Sequence, residues 1–349
     1  MIAHILRLTG WEWYKLQRRW MPWILLGIMV LFSQVLFWGA YVGYRTEAFS
    51  PSFHTSIGDD EDKVDISFKC ADIRGGSVPP EVAQLDEQGR KHVLEQIEVF
   101  RTDSCAGYEG NREAMRTGLM FPNSIGFSLG LSQLLWVIVI IILAASAMGV
   151  EYGWGTLRMV LTKGTGRWQF FTGKILALGL MGAAGLVIVA ATVSIGSLIA
   201  ALTLPAPPPV EGAALADSGE DQLEAALTIG RMFGKLLYVF LPYMMLALCC
   251  AVLTSSAATA IAITLTYYVV ERAFVPLLVR FFDWFQNIAD YLPATNVSIW
   301  LGPEFSLGDT NGEASVLRAF LVLAAYIIIL GGATFALLQR RDIAGAKGA

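Results

Sequence analysis

Six long apolar stretches constrain this chain more than any other feature of its sequence. Each is long enough, at about 20 residues or more, to cross a hydrocarbon core of ~30 Å as an α-helix. Hydrocarbon cannot hydrogen-bond the backbone, so helices are the expected structure there. Of all residues, 55% are hydrophobic and only 15% are charged, which fits a membrane protein better than a soluble one. The predicted spans are residues 22–44, 125–149, 173–203, 233–254, 256–279 and 316–338.

The distribution of lysine and arginine predicts how these spans are oriented, because short cytoplasmic loops retain positive charge. Residues 45–126 hold nine basic and fifteen acidic groups, and residues 205–230 hold five acids and no base. Basic residues instead dominate three other segments. We therefore expect a multi-pass protein of the cell's inner membrane with both termini cytoplasmic. The basic residues concerned are Arg7, Lys15, Arg18, Arg19, Arg158, Lys163, Arg167, Lys174, Arg340, Arg341 and Lys347.

The segments between the spans differ in character. Apolar residues recur at helical spacing before the first span, which predicts an amphipathic interfacial helix that Pro22 turns into the bilayer. Small residues join the fourth and fifth spans at 254–257, which predicts a helical hairpin. The non-spanning segments are an interfacial helix at 1–21, an extracytoplasmic domain at 45–124, a cytoplasmic loop at 150–172 (the 2–3 loop), an outer loop at 204–232, an outer re-entrant or interfacial segment at 280–315, and a cytoplasmic tail at 339–349.

The extracytoplasmic domain contains a strand-like run, Lys63 to Cys70, and a helical run from about Pro80 to Phe100. Cys70 and Cys105 are the two cysteines outside the spans, and on an oxidising face they can form a disulfide. Closing that loop stabilises a domain by roughly 3–4 kcal/mol in the chain-entropy model. This domain could gate an exit path, bind a partner or shield the mouth of a pathway.

Motifs for enzyme chemistry are missing from the sequence. There is no Gly-x-x-x-x-Gly-Lys-Ser/Thr phosphate loop, no His-Glu-x-x-His pair and no Gly-x-Ser-x-Gly elbow. We accordingly assign no catalytic, cofactor-binding or metal-binding residue, expect no cofactor on this chain, and expect no nucleic-acid partner.

The 2–3 loop carries the most specific pattern. An acid, Glu151, leaves the second span and is followed by Gly-Thr-Leu-Arg, an apolar turn ending at Leu161, a glycine break, and then Arg167 and Lys174. This order resembles the type-2 permease family of ABC exporters, and the tail at 339–343, Gln-Arg-Arg-Asp-Ile, adds to the resemblance.

The resemblance implies a short cytoplasmic coupling helix at about 155–162 that docks on an ABC ATPase subunit. It implies two ATPase copies, which bind the ATP and Mg, and a second permease subunit, most simply an identical one. An ordinary positive-inside loop is the alternative. The residues assigned to ATPase coupling are Glu151, Gly155, Thr156, Leu157, Arg158, Leu161, Arg167 and Lys174.

Ionisable and polar residues inside the spans are candidates for a translocation pathway. Glu271 and Arg272 are adjacent in the fifth span, where a charged side chain is costly unless it faces water, a partner or the interface. Structural anchoring is the alternative for this pair. Gln133, Tyr267 and Tyr268 could line the same pathway or hydrogen-bond neighbouring helices.

Two other functions remain open at this stage. An ion-driven secondary transporter needs intramembrane carboxylates near the midplane, for which Glu271 is the candidate. A membrane-anchored sensor or scaffold needs a recognition domain, for which residues 45–124 are the candidate. Membrane lipid is an expected partner in every case, whereas the sequence does not identify a substrate.

Overall fold

The computed structural model describes residues 2–48, 50–57, 64–70, 72–73, 82, 87–155, 166–204, 220–302 and 313–340. The helices are α1 (Ile2–Gln17), α2 (Trp20–Arg45), α3 (Glu87–Phe100), α4 (Ala106–Leu119), α5 (Asn123–Gly153), α6 (Arg167–Thr203), α7 (Glu220–Thr254), α8 (Ala257–Phe281), α9 (Gln286–Ala289), α10 (Pro293–Leu301) and α11 (Glu313–Arg340). Strands β1 (Ser52–Ile57) and β2 (Val64–Lys69) form one antiparallel pair.

Six of the described helices are long and apolar enough to cross a membrane: α2, α5, α6, α8, and the parts Ala226–Thr254 of α7 and Val316–Arg340 of α11. Several helices extend beyond the apolar stretches, since backbone hydrogen bonding continues through polar residues at their ends. In particular, α6 begins at Arg167 and α7 begins at Glu220. The break between α1 and α2 falls at Arg18–Arg19 rather than at Pro22, which lies in the first turn of α2. Proline is tolerated there because the first amides of a helix have no partner within it.

The chain divides into two compact units. One comprises residues 1–34, 125–193 and 211–349, and the other comprises residues 35–124 and 194–210. In the first unit, α5 and α7 are largely buried, whereas α8 and α11 leave most of their surfaces exposed. The rings of Trp136 on α5 and Phe240 on α7 stack with their centroids 5.9 Å apart. Helices α5 and α7 therefore form the centre of this unit.

The predicted hairpin between the fourth and fifth spans is present as α7 and α8. Ser255 has a left-handed backbone, with φ of 53°, and it reverses the chain. The side chain of Ser256 accepts a hydrogen bond from the backbone N–H of Thr259 and so caps the start of α8. Two serines are thus sufficient to connect these helices.

The second unit contains the strand pair, α3 and α4. Cys70 and Cys105 form a disulfide within it. A small apolar core surrounds this bond, and the rings of Phe53, Phe68 and Phe100 pack against one another at 5.1–5.9 Å. Other buried members of the core are Ile66, Ile73, Val82, Val93 and Ile97. The predicted strand corresponds to β2, and the predicted helix is observed from Glu87.

Candidate functional site

Four charged side chains, three of them buried and one partly exposed, form a cluster where α1, α5 and α6 meet. Lys174 Nζ lies 2.8 Å from Glu12 Oε2 and 3.2 Å from Glu151 Oε1. Lys15 Nζ lies 2.7 Å from Glu12 Oε1 and 3.2 Å from Glu151 Oε1. Two lysines and two carboxylates therefore alternate, with no excess of either charge. We call Glu12, Lys15, Glu151 and Lys174 the four-residue cluster.

Local sequence explains how each member reaches the cluster. Glu12 and Lys15 are three residues apart on α1 and so lie on the same face. Glu151 is on the last turn of α5, and Lys174 is on the second turn of α6. At Gly173 an added Cβ would lie 3.3 Å from Leu8 Cβ, so glycine allows α1 to approach α6 closely.

Lys174 is the most buried member of the cluster. Its side chain is 1% exposed, and Nζ also donates a hydrogen bond to the Ala147 carbonyl at 2.9 Å. The ring of Phe170 lies 5.0 Å from the same nitrogen, within the range of a cation–π contact. An ammonium removed from water is stable only when paired and hydrogen-bonded, and these contacts meet that condition.

The cluster shifts the protonation of its two α1 members in opposite directions. Burial alone would raise the pKa of Glu12, but Lys174 and Lys15 outweigh burial and hold it below its ordinary value. Burial alone would lower the pKa of Lys15, but Glu151 and Glu12 outweigh burial and raise it. Both side chains are therefore charged across the neutral range, and the pairing between α1 and the two spans persists there.

A second connection joins α6 to the end of α11. The Nη1 group of Arg167, the first residue of α6, donates to the Leu338 carbonyl at 2.9 Å and to the Gln339 carbonyl. These are carbonyls of the last turn of a helix, which have no partners within it and carry partial negative charge. The Phe335 ring packs against Trp168 at 5.3 Å. Arg167 thus caps α11 and fixes the start of α6.

These contacts show where the residues predicted to contact an ATPase lie. Glu151 and Lys174 point into the protein, and Arg167 is half-buried against α11. Gly155 is exposed just past α5 and has a φ of +66°, which favours glycine. Trp154 beside it is 77% exposed. Thr156, Leu157, Arg158 and Leu161 lie outside the described residues, so the geometry concerns only the two ends of the 2–3 loop.

The α7–α8 turn packs against the same end of α5. A Cβ added at Gly149 would lie 2.4 Å from both the backbone N and Cα of Ala257. Only glycine allows this approach, because backbone atoms cannot move aside as a side chain would. The last turns of α5 therefore contact α1, α6 and the first residue of α8.

Glu271, predicted as a pathway residue, binds the start of the short helix α10. Its Oε1 accepts a hydrogen bond from the backbone N–H of Ala294 at 2.7 Å, and its Oε2 accepts one from the Tyr243 hydroxyl at 3.3 Å. A carboxylate is favourable at the N-terminus of a helix. At the other end of α10, Lys235 Nζ donates to the Leu301 carbonyl at 3.2 Å. Charges of complementary sign thus hold both ends of α10.

The other predicted pathway residues fall in separate places. Arg272 is half-buried next to Glu271 on α8. The hydroxyl of Tyr268 donates to the Leu134 carbonyl at 3.4 Å. Tyr267 lines a small cavity with Tyr243 and Tyr326. Gln133 is buried on α5. The hydrogen bond of Tyr268 fits the helix-packing alternative for that residue.

Sequence reasoning missed Glu12, Lys15 and Lys235 as members of structural sites. Lys15 counted only as a positive charge on the cytoplasmic side. A signal was available for Glu12, which lies on the apolar face of α1 beside Leu16, where an acid needs a partner. Among the described residues, no group of three or more His, Cys, Asp or Glu side chains could hold a metal ion.

The fold and these sites define a multi-pass α-helical membrane protein whose charged residues connect helix ends. The chain belongs to the ABC-2 family of transporters, because the model of the family described as "ABC-2 family transporter protein" matches residues 7–343. The match confirms the resemblance found in the 2–3 loop and the all-α polytopic fold. The chain is therefore the membrane subunit of an ABC transporter and is not itself catalytic, and the family implies an ATPase partner. Neither the curated proteins nor the solved structures contain a match.

Proposed function

We propose that this chain is the permease subunit of an ATP-driven exporter and that the four-residue cluster transmits motion from a separate ATPase subunit to the spans. The observation that carries the proposal is the pairing of Lys174 with Glu12 and Glu151, which joins α1 to both helices that flank the 2–3 loop. A force applied to that loop reaches the ends of α5 and α6 and the surface helix together.

In this proposal the ATPase binds the segment at about 155–162 from the cytoplasm, where both termini also lie. Two permease copies and two ATPase copies form the transporter, and ATP with Mg binds on the ATPases. Closure of the ATPases then biases the spans between inward-open and outward-open arrangements. Arg167 extends the connection to α11 through the Leu338 carbonyl.

The contacts of Glu271 favour this function over an ion-driven carrier. Such a carrier needs a carboxylate that binds and releases its coupling ion. Glu271 instead accepts hydrogen bonds from Ala294 and Tyr243 and stabilises the start of α10. A sensor or scaffold gains support from the disulfide-bonded unit, but such a function does not require a cluster at the ends of α5 and α6.

The test separates docking from transmission. A Leu157→Asp, Arg158→Glu double variant changes the 2–3 loop, and Lys174→Met changes the cluster. Arg318→Gln is the matched control because it removes one charge from an exposed pair, in which Arg318 Nη1 lies 3.1 Å from Asp290 Oδ2. Each variant is purified with the candidate ATPase, and ATP hydrolysis is measured with and without the permease in lipid vesicles.

We expect the loop variant to lose the ATPase during purification. We expect Lys174→Met to retain it but to lose most of the permease-dependent change in hydrolysis, while Arg318→Gln behaves as the wild type. If no ATPase co-purifies with the wild type, the exporter function is refuted. If Lys174→Met retains both the bound ATPase and the permease-dependent change in hydrolysis, the cluster has no part in transmission.

A further inference from the structure

An apolar cavity lies between α1, α2, α5 and α6. It encloses about 60 Å³ of space that the centre of a water-sized sphere can occupy, enough for a narrow ligand, and it is partly open to the surface. Apart from Gln17 and three tryptophan rings, its walls are aliphatic side chains and glycine. Gly182 and Gly185 place no side chain on the α6 side of the cavity. The helices approach closely there, since a Cβ at Gly185 would lie 3.1 Å from the Trp136 ring. A cavity with such walls suits a hydrocarbon ligand better than water.

The lining of the cavity extends along three of the helices. Its lining extends over Pro22–Met29 on α2, 136–143 on α5 and 181–188 on α6. Seven residue steps on each helix correspond to about 10 Å at 1.5 Å per residue. A groove of this length parallel to three membrane spans has the direction of a lipid acyl chain.

One end of the cavity lies at the surface helix. Trp13 and Gln17 of α1 line that end together with Pro22. The Trp23 indole N–H donates to the Gln17 carbonyl at 2.7 Å and fixes the angle between α1 and α2. Contacts of α1 with Lys174 and Glu151 place the same end near the start of α6 and the end of α5. The remaining length of the cavity therefore extends into the hydrocarbon.

Two basic residues follow Gln17, which lines one end of the cavity. Arg18 and Arg19 join Gln17 to α2, and Arg18 is exposed while Arg19 is half-buried. The nearby carboxylate on α1, Glu12, is bonded to Lys15 and Lys174. Arginine binds phosphate oxygens well, and basic residues at the membrane surface attract anionic lipids.

We propose that this cavity binds one acyl chain of an anionic phospholipid, whose phosphate lies at Arg18 and Arg19. The bound chain contacts α1 beside Glu12 and Lys15 and supports the helix that completes the four-residue cluster. Lipid binding itself does not depend on the exporter function, because it requires only a protein that spans the membrane.

The test uses native mass spectrometry of the purified, delipidated full chain mixed with phosphatidylglycerol or with phosphatidylcholine of the same acyl chains. Ala184→Phe fills the cavity from its α6 wall. The matched control is Ala191→Phe, which adds the same ring two turns further along α6 at an exposed position outside the cavity. Ile188→Trp is a second filling variant, at a lining residue that is 38% exposed and so tolerates a larger ring. A double variant, Arg18→Gln with Arg19→Gln, tests the headgroup site.

We expect wild type and Ala191→Phe to retain phosphatidylglycerol at least fivefold more than phosphatidylcholine, and to unfold at a higher temperature when it is added. Either filling variant should reduce retention at least fivefold, and the double arginine variant should remove the preference between the two lipids. Equal retention of both lipids by the wild type overturns the proposal. Unchanged retention in both filling variants also overturns it. The proposal fails as well if a filling variant abolishes a dimer peak while lipid retention stays the same, because a second copy of the chain then occupies the cavity.

Discussion

Lys174 Nζ lies 2.8 Å from Glu12 Oε2, although the two residues are 162 positions apart in the chain. This contact joins a helix that is too polar to cross the membrane to a helix that crosses it. Because Lys174 is 1% exposed, the pair is shielded from salt and from competing water far more than a surface ion pair would be.

Replacing Lys174 by methionine should destabilise the protein strongly. The change removes Lys174 as a partner of Glu12 and Glu151, which then lie buried beside each other and share Lys15. Breaking a buried ion pair from one side costs about 3–5 kcal/mol, whereas an exposed pair is worth about 0–1 kcal/mol. Unfolding in mixed micelles should therefore separate Lys174→Met from the Arg318→Gln control. Equal losses of unfolding free energy in the two variants would contradict the importance of burial at Lys174.

The pH dependence of stability should show the two shifted groups on α1. The pKa of Glu12 is below its ordinary value of 4.5. The stability that ionised Glu12 contributes is therefore fully present above about pH 4.5, and it is lost as the pH falls through the pKa of Glu12 in the folded protein. The pKa of Lys15 is above its ordinary value of 10.5. The stability that charged Lys15 contributes is therefore fully present below pH 10.5, and it is lost as the pH rises through the raised pKa.

The measurement is the unfolding temperature of the wild type minus that of Glu12→Gln across the pH range. The difference should be constant between about pH 5 and 10 and should decrease below about 4.5. A difference that already vanishes between pH 7 and 5 would show that Glu12 titrates without the help of the lysines.

An alanine at position 149 should weaken the contact between α5 and the α7–α8 turn. Its Cβ would lie 2.4 Å from backbone atoms of Ala257, so one helix must move. Overpacking of this kind costs about 1–3 kcal/mol. Gly153→Ala is the control on the same helix, because a Cβ there meets no atom within 4 Å. The unfolding free energy of Gly149→Ala should fall, and a result equal to that of Gly153→Ala would refute the close approach.

Two substitutions at Glu271 should distinguish charge from hydrogen bonding at α10. Glutamine keeps an oxygen that can accept from the Ala294 N–H, whereas alanine leaves that donor and the Tyr243 hydroxyl without this acceptor. The alanine variant should lower the free energy of unfolding by about 1–3 kcal/mol more than the glutamine variant does. Hydrogen exchange at residues 293–301 should accelerate more with alanine than with glutamine, and unchanged exchange in both would exclude a capping role.

Removing the disulfide should loosen the unit that contains it. The bond joins residues 35 positions apart, and a loop of that size is worth about 3–4 kcal/mol in the chain-entropy model. A Cys70→Ser, Cys105→Ser variant should become more sensitive to protease within residues 50–119, while Cys249→Ser and Cys250→Ser should not. Equal protease patterns in the wild type and the Cys70→Ser, Cys105→Ser variant would contradict the stabilising role.

Features that depend on neighbouring residues were predictable from the sequence. Apolar length predicted the six spans, and the short run of small residues at 254–257 predicted the α7–α8 hairpin. The order of residues in the 2–3 loop was sufficient to indicate the family. Each of these signals lies within a short segment, where periodicity and composition determine the local structure.

Features that depend on packing were not predictable. The sequence shows that Lys174 follows a loop, but not that Glu12 and Glu151 meet it from two other helices. Likewise, the sequence shows Glu271 only as a charge inside a span, and it does not show that the backbone N–H of Ala294 donates a hydrogen bond to it. Nothing local specifies such partners, because a helix can be rotated or shifted against its neighbours without changing its own hydrogen bonds.

The hydrogen bonds from Arg167 to the last turn of α11 have a consequence for biosynthesis. Arg167 leaves the ribosome 171 residues before Leu338, its first acceptor. One end of the 2–3 loop therefore stays without its anchor until α11 has been made and inserted. A nascent or truncated chain that lacks α11 holds the start of α6 only through contacts such as those of Lys174, so full-length chains differ from incomplete ones at the same surface where we propose that the ATPase docks.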